Sequence, residues 1–154
     1  MKNKPLPFFL IALAVLVLDQ FTKHLIKTHV GPFDTIRVLP FFNIVYAENI
    51  GAAFSMFRSL GNTFFITVKV LAVIILSVLI FKAKEHRFVF SLILGGAAGN
   101  LTDRIVHGYV IDFLDVYAGR YHWPAFNVAD SALTIGIMLL VFTSFTGQKE
   151  KVEG

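Results

Sequence analysis

The sequence contains no cysteine and few charged residues, and both shortages restrict what the chain can do. Because none of its 154 residues is a cysteine, disulfides, thiol catalysis and cysteine-ligated zinc are excluded. Asp, Glu, Lys and Arg make up only 16% of the chain, whereas a soluble domain carries about 25% of them. The hydrophobic residues, at 56%, outnumber the polar groups that could cover them, so the composition predicts an integral membrane protein.

Motifs for several kinds of chemistry are also missing. The five histidines form no HExxH pair or similar ligand set, so we expect no metal and no cofactor. The serines lie in no nucleophile elbow and in no Ser-x-x-Lys motif. The net charge of +4 does not indicate a nucleic-acid partner, because the basic residues cluster at the ends of apolar runs. Metal-dependent, serine-dependent and nucleic-acid functions are therefore disfavoured.

Four apolar runs predict membrane-spanning helices within one domain that covers residues 1–154. We place the spans at 8–26, 63–81, 88–105 and 127–146, with two longer connections at 27–62 and 107–125. The first run follows a basic start, as in a secretory signal peptide, but no small-x-small cleavage site follows it, so we expect it to be retained. The pattern at 37–46 predicts one or two short strands, and 55–60 a short amphipathic surface segment.

Basic residues predict the orientation of this bundle. The N-terminus, the loop 82–87 and the C-terminal tail hold seven Lys and Arg residues, and the two long connections hold four. By the positive-inside rule, both termini are cytoplasmic and both long connections face outward. Polar residues at the ends of three spans then lie at the same outer depth, namely Asp19, Lys23, Asn100, Asp103, Arg104, Asn127 and Asp130.

Ionisable groups at membrane depth are expensive, at about 2.5–3.5 kcal/mol each, and usually face a functional cavity. Ordinary explanations remain open for each one. Asp19 and Lys23, four residues apart on one helix, could simply neutralise each other. Asp112 could cap a turn, and Asp130 could be a charge at a helix N-terminus. Lys69, inside the second span, could extend its ammonium outward to water or meet an acid, and we expect the first.

Carboxylates are the groups that remain for chemistry. Two aspartates in a poorly hydrated pocket cannot both ionise cheaply, so one pKa rises and the pair shares a proton. Such a pair can activate water, with the ionised member as general base and the protonated member as hydrogen-bond donor to a carbonyl. Composition alone does not choose which two aspartates form the pair.

Four motifs occur in the order in which one known family carries them. They are Asn49-Ile-Gly-Ala-Ala-Phe54, Gly99-Asn-Leu-Thr-Asp-Arg104, Val110-Ile-Asp-Phe113 and Phe126-Asn-Val-Ala-Asp-Ser131. Together with Asp19 and Lys23 on the first span, they resemble the successive motifs of bacterial lipoprotein signal peptidase, or signal peptidase II. The resemblance extends over nearly the whole chain, and only Thr102 departs from it, since a larger apolar or aromatic residue is expected there.

The resemblance implies an all-α membrane protein of four helices, with a small extracytoplasmic β-cradle and a short interfacial helix. It implies an aspartic endopeptidase of the bacterial inner membrane, with its active site at the outer face. The enzyme removes the signal peptide from diacylglyceryl-modified prolipoproteins by cutting before the lipidated cysteine. The partners are thus a lipid-modified substrate and membrane lipid, and we expect a monomer.

The resemblance also assigns roles to individual residues. The catalytic pair is Asp112 and Asp130. The positions that line or orient the site are Asn49, Asn100, Arg104 and Asn127. The supporting residues are Asp19, Lys23 and Asp103, of which Asp103 either pairs with Arg104 or ties down nearby backbone. Asp115 matches no motif position, and we expect it to be a solvated acid.

Two other classes of protein compete with this interpretation. A small proton-coupled carrier could use buried acids as a relay, but no inverted repeat is apparent and the acids lie at one membrane edge rather than at the midplane. An unrelated intramembrane aspartyl protease would carry a Gly-x-Gly-Asp motif, which is missing. A purely structural membrane protein would leave the acids at the outer edge unexplained.

Overall fold

One helix is surrounded by three others and leads into a small sheet at one end of the bundle. The computed structural model describes residues 4–51 and 58–150. The helices are α1 (Leu6–His29), α2 (Gly61–Lys82), α3 (Arg87–Val106) and α4 (Val128–Glu150). The strands are β1 (Thr35–Leu39), β2 (Phe42–Asn49), β3 (Val110–Ala118) and β4 (Tyr121–His122). A helix therefore lies over each of the four apolar runs.

Helix α3 is the centre of the bundle. It packs against α1, α2 and α4, and most of its residues are buried. Its glycines permit this close approach: a Cβ on Gly95 would lie 2.6 Å from the Val15 side chain of α1, and one on Gly96 would collide with the Ala129 carbonyl of α4. Small residues allow helix backbones to pack closely in membranes. The run 95–99 thus brings α1 and α4 onto α3.

Three of the four helices meet the length and apolarity that a membrane crossing requires, namely Leu6–His29, Gly61–Lys82 and Val128–Phe145. Their large apolar side chains are exposed along their length, as expected where lipid replaces water. Helix α3 is not among the three, because its core-facing side carries small and polar residues. The prediction of a fourth crossing therefore stays a prediction.

The four strands form one antiparallel sheet in the order β1–β2–β3–β4. The strand prediction for 37–46 is confirmed, because β1 and β2 cover that segment. Strands β3 and β4 in the second connection were not predicted, although Gly119-Arg120 is the two-residue turn that joins them. Residues 55–57 of the segment 55–60 lie outside the described residues, and Arg58–Leu60 forms one 3-10 turn.

The sheet brings separate motifs into register. Ala47 of β2 pairs with Asp112 of β3, and Asn49 pairs with Val110. Strand β3 follows α3 directly, and an isolated bridge joins Leu114 to Phe126, just before α4. The start of α4, the end of α3 and the sheet therefore meet at one end of the bundle.

Candidate active site

A cavity of about 740 Å³ lies where the sheet meets the helices. Its polar lining comes from β2, β3, α2, α3 and α4 and includes Asn49, Asp112, Lys69, Asn100, Arg104, Asp130, Ser131 and Thr134. The apolar lining includes Phe65, Trp123, Phe126, Leu133 and Ile137. A mostly apolar cavity with a few convergent polar groups is the usual form of a small binding or catalytic site.

Asp112 and Asp130 both line this cavity, and each accepts amide hydrogen bonds. Asn49 Nδ2 donates to Asp112 Oδ2 at 2.9 Å, and Asn127 Nδ2 donates to Asp112 Oδ1 at 2.6 Å. Asn100 Nδ2 donates to Asp130 Oδ1 at 2.7 Å. Neither aspartate has a basic side chain within ion-pair distance among the described residues. Their direct side-chain contacts are therefore with neutral amide donors.

The orientation of the three asparagines is determined by their other contacts. Asn127 precedes α4 and accepts the N–H of Asp130 at 2.8 Å, as an N-cap residue does. Asn49 accepts the N–H of Gly51 at 3.0 Å. Asn100 Oδ1 accepts from Lys23 Nζ at 3.0 Å and from Asn127 Nδ2 at 3.2 Å. Because each carbonyl oxygen is occupied, each amide nitrogen is directed to an aspartate.

Burial shifts the titration of Asp112. Its side chain is 2% exposed. Desolvation, followed by the neighbouring charge of Asp130, raises the pKa of Asp112 from 3.8 to about 7, while the hydrogen bonds from Asn49 and Asn127 and the charge of Lys23 oppose the rise. Asp112 therefore changes charge near neutral pH, where a general acid or base is most effective.

Arg104 fixes backbone rather than a carboxylate. Its guanidinium donates to the carbonyls of Ile50 at 3.1 Å and of Gly51, and it lies over the Phe65 ring at 4.4 Å. The expectation that Asp103 pairs with Arg104 is therefore wrong. Adjacent residues on a helix point about 100° apart, and Asp103 faces α1 instead. The alternative, that Asp103 ties down backbone, agrees with the N–H of Ile111 at 3.0 Å from Asp103 Oδ2.

Asp19, Lys23 and Asp103 form a second buried cluster behind the cavity. Lys23 Nζ lies 2.8 Å from Asp19 Oδ2 and 2.9 Å from Asp103 Oδ2. Asp19 Oδ1 also accepts the N–H of Ala129 in the first turn of α4 at 2.9 Å. The cluster thus joins α1 to α3 and α4. Lys23 also donates to Asn100, the residue that binds Asp130.

Three observations were not anticipated from the sequence. Gln20 donates to Asp103 Oδ1 and to the Gly99 carbonyl. Lys69 lines the cavity that holds Asp112 and Asp130, and the extension of its ammonium to water stays a prediction. Asp115 is not a solvated acid but is buried, with Asn43 Nδ2 at 2.9 Å and His122 Nδ1 at 2.8 Å. Its register opposite Asn43 in the β2–β3 pair is the cause.

The part of the chain that the structure describes contains no cluster of metal-ligand side chains. Within residues 4–51 and 58–150, no three His, Asp or Glu side chains are grouped as a metal site would need. The expectation that the protein needs no metal stays a prediction.

Comparison with solved structures defines the class of protein. One structure of a bacterial membrane enzyme superposes with a TM-score of 0.87 at 35% identity, covering 94% of this chain and 91% of that one. A second, also described as a bacterial membrane enzyme, gives 0.79 at 36% identity, with 89% and 91% covered. With three long apolar helices among the described residues and a cavity that holds buried carboxylates, the chain is an integral membrane enzyme.

The family follows from the sequence comparisons. The family model described as signal peptidase (SPase) II matches residues 11–146. A lipoprotein signal peptidase of Thermodesulfovibrio yellowstonii is 48% identical over 83% of this chain and 87% of its own length. Those of Alteromonas mediterranea and Francisella tularensis subsp. novicida are 44% and 40% identical over 96% and 94% of this chain, and over 85% and 95% of their own lengths. The chain belongs to the signal peptidase II family, whose members are proteases of lipoprotein processing.

Proposed function

We propose that this protein is an aspartic endopeptidase in which Asp112 and Asp130 activate a water molecule. The observation that carries the proposal is the geometry of the two carboxylates. They come from different elements, β3 and α4, line one cavity and are held by amide donors rather than by cations. Each amide satisfies one lone pair without removing the negative charge, so the pair keeps the capacity to accept a proton.

In the proposed reaction, the ionised aspartate takes a proton from water while the protonated partner donates a hydrogen bond to the scissile carbonyl. Two acids that share a site titrate as a pair, so one proton is held between them near neutral pH. The elevated pKa of Asp112, about 7, agrees with such a pair. Asn49, Asn100 and Asn127 would keep the carboxylates oriented for this step.

Arg104, Asp19, Lys23 and Asp103 would support this site. Arg104 binds the carbonyls of Ile50 and Gly51 and so holds the end of β2, which carries Asn49, against the cavity. The Lys23 cluster fixes the start of α4, where Asp130 lies. Preorganisation of this kind is what a catalytic pair needs to keep its geometry.

The substrate we propose is a diacylglyceryl-modified prolipoprotein, cut immediately before the lipidated cysteine. The cavity has an apolar wall from α2 and α4, two helices that pack against α3 rather than closely against each other. A gap between α2 and α4, both of which face lipid, would admit a substrate that lies partly in the bilayer. A cavity lined by both carboxylates and apolar residues suits a peptide joined to acyl chains.

The orientation of the protein in the membrane is also a proposal. We propose four crossings with both termini in the cytoplasm, because basic residues cluster at the termini and at 82–87. The sheet and the cavity would then lie at the outer face of the bacterial inner membrane, reached by substrate from the bilayer. We further propose that residues 1–154 act as one domain and as a monomer.

The test is cleavage by the purified protein in detergent, followed by mass spectrometry. The substrate is a diacylglyceryl-modified prolipoprotein, and the same prolipoprotein without lipid is the matched control. A single cut before the cysteine, dependent on the lipid and unaffected by a chelator, is the expected result. A well-folded protein that does not cut the lipidated substrate would remove the proposal, and inhibition by the chelator would remove its metal-free mechanism.

A further inference from the structure

Lys69 is a charged residue inside the apolar helix α2 that the proposed mechanism does not use. Its side chain is half-buried and lines the cavity together with Asp130 and Thr134 of α4. Asp130 attracts it most strongly among the charged groups that face it, Asp112 attracts it less, and Arg104 and Lys23 repel it. Among the described residues, no carboxylate lies within 4.0 Å of its ammonium and no hydrogen bond occupies it.

The other two cations near the site are already engaged. Lys23 contacts Asp19, Asp103 and Asn100, and Arg104 donates to two backbone carbonyls and covers the Phe65 ring. Neither can turn to a ligand without losing these contacts. A half-buried ammonium without a close counter-ion is unfavourable, because burial of an unpaired charge removes hydration without replacing it. Lys69 is therefore the cation best placed to gain from an anion in the cavity.

The proposed reaction produces such an anion at this place. The oxygen of water bonds to the acyl carbon, the C–N bond breaks, and the nitrogen of the cysteine keeps the pair of electrons and takes a proton. The released signal peptide then ends in a carboxylate. This carboxylate arises beside Asp112 and Asp130, so its own site repels it unless a cation is near.

We infer that Lys69 binds the newly formed C-terminal carboxylate of the cleaved signal peptide. The inference rests on the proposed function, since it concerns that reaction's product. Lys69 lines the same cavity as the two aspartates and as the apolar residues Leu133 and Ile137 of α4. The ligand class is thus a peptide α-carboxylate attached to an apolar sequence.

A binding measurement separates this inference from catalysis. Two fluorescently labelled signal peptides of the same sequence, ending one residue before the cysteine, are titrated with the purified protein in detergent at neutral pH. One ends in a carboxylate and the other in a carboxamide. For the wild-type protein we expect the carboxylate peptide to bind about tenfold more tightly than the amide. We expect Lys69→Met to reduce this ratio to about one, and Lys69→Arg to preserve it.

Lys82→Met is the matched control, since it removes the same charge at the exposed end of the same helix. It should keep the wild-type ratio. The inference is overturned if the wild-type protein binds both peptides equally or binds neither, or if folded Lys69→Met retains the preference. Should Lys69→Met not fold, Lys69→Gln replaces it. Cleavage of the lipidated prolipoprotein by the wild type is assayed separately. If the wild type cleaves but shows no preference for the carboxylate peptide, this inference alone is contradicted.

Discussion

Two groups of buried aspartates lie close together in this protein and are compensated in different ways. Asp19 and Asp103 share Lys23, with ion-pair distances of 2.8 and 2.9 Å. Asp112 and Asp130 have amide donors instead and no cation within that distance in the described part of the chain. The first group shares one lysine between its two carboxylates and connects helices. The second keeps its charge available at a cavity, which is what acid–base chemistry requires.

The comparison separates two consequences of removing a carboxylate. In the Lys23 group, the loss of Asp19 or Asp103 removes a buried ion pair and the backbone hydrogen bond that the carboxylate accepts, and so costs stability. In the cavity group, the loss of a member removes a charge that burial already disfavours, so stability is kept or gained while chemistry is lost. Substitutions by isosteric asparagine test this difference, because they change charge with little change of shape.

The largest expected effect is on turnover. Asp112→Asn and Asp130→Asn should each lower the cleavage rate by about 10³-fold or more, because a proposed member of the catalytic pair is lost. Asp103→Asn is the matched control in the Lys23 group and should lower the rate per folded molecule by less than about tenfold. Cleavage followed by mass spectrometry gives both rates. Equal losses in the two groups would mean that the catalytic pair is misassigned.

The next effect concerns the ion pairs. Lys23→Met leaves Asp19 and Asp103 facing each other without a cation and should reduce the free energy of unfolding by about 3–5 kcal/mol. Thermal unfolding in detergent measures the change. Lys27→Met, one turn along the exposed side of α1, should change it by less than about 0.5 kcal/mol. A similar small shift for Lys23→Met would show that the cluster does not support the fold.

A third effect depends on pH. Because the pKa of Asp112 is raised to about 7, the folded state holds the Asp112 proton more tightly than the unfolded chain does. Below pH 4, Asp112 is protonated in both states and does not affect the free energy of unfolding. Above pH 7 it is ionised in both states, and this ionisation lowers the free energy of unfolding by up to about 4 kcal/mol. Asp112→Asn should thus unfold at a higher temperature than the wild type at pH 8, and the gain should vanish at pH 4. No gain at pH 8 would contradict the raised pKa.

Much of this arrangement was predictable from the sequence, because apolar length and helix spacing are local properties. The helices over all four apolar runs and the Asp19–Lys23 pair follow from them. The grouping of Asn49 and Asn100 with Asp112 and Asp130 was expected only because the order of motifs resembled a known family. Spacing alone could not choose these aspartates, since they meet through contacts between residues far apart in the chain.

Other features depended on tertiary packing that no local pattern encodes. The direction of Asp103 towards Lys23 rather than Arg104 is set by how α3 rotates against α1. Lys69 was visible as a charge in an apolar run, but whether it faced lipid or a cavity depended on the position of α4. Strand β3 is not predicted by its local pattern, because Asp112 and Asp115 interrupt its apolar residues without strict alternation.

Asp115 extends the comparison to a third acid and gives the smallest expected effect. It is buried like the others, yet it pairs with the half-exposed His122 and with Asn43, away from the cavity. Asp115→Asn should therefore lower the free energy of unfolding by only about 1 kcal/mol and leave cleavage nearly unchanged. A double-mutant cycle with His122→Phe would isolate the contribution of the pair. A loss of cleavage as large as that of Asp112→Asn would place Asp115 in the catalytic group and contradict the division drawn between the acids.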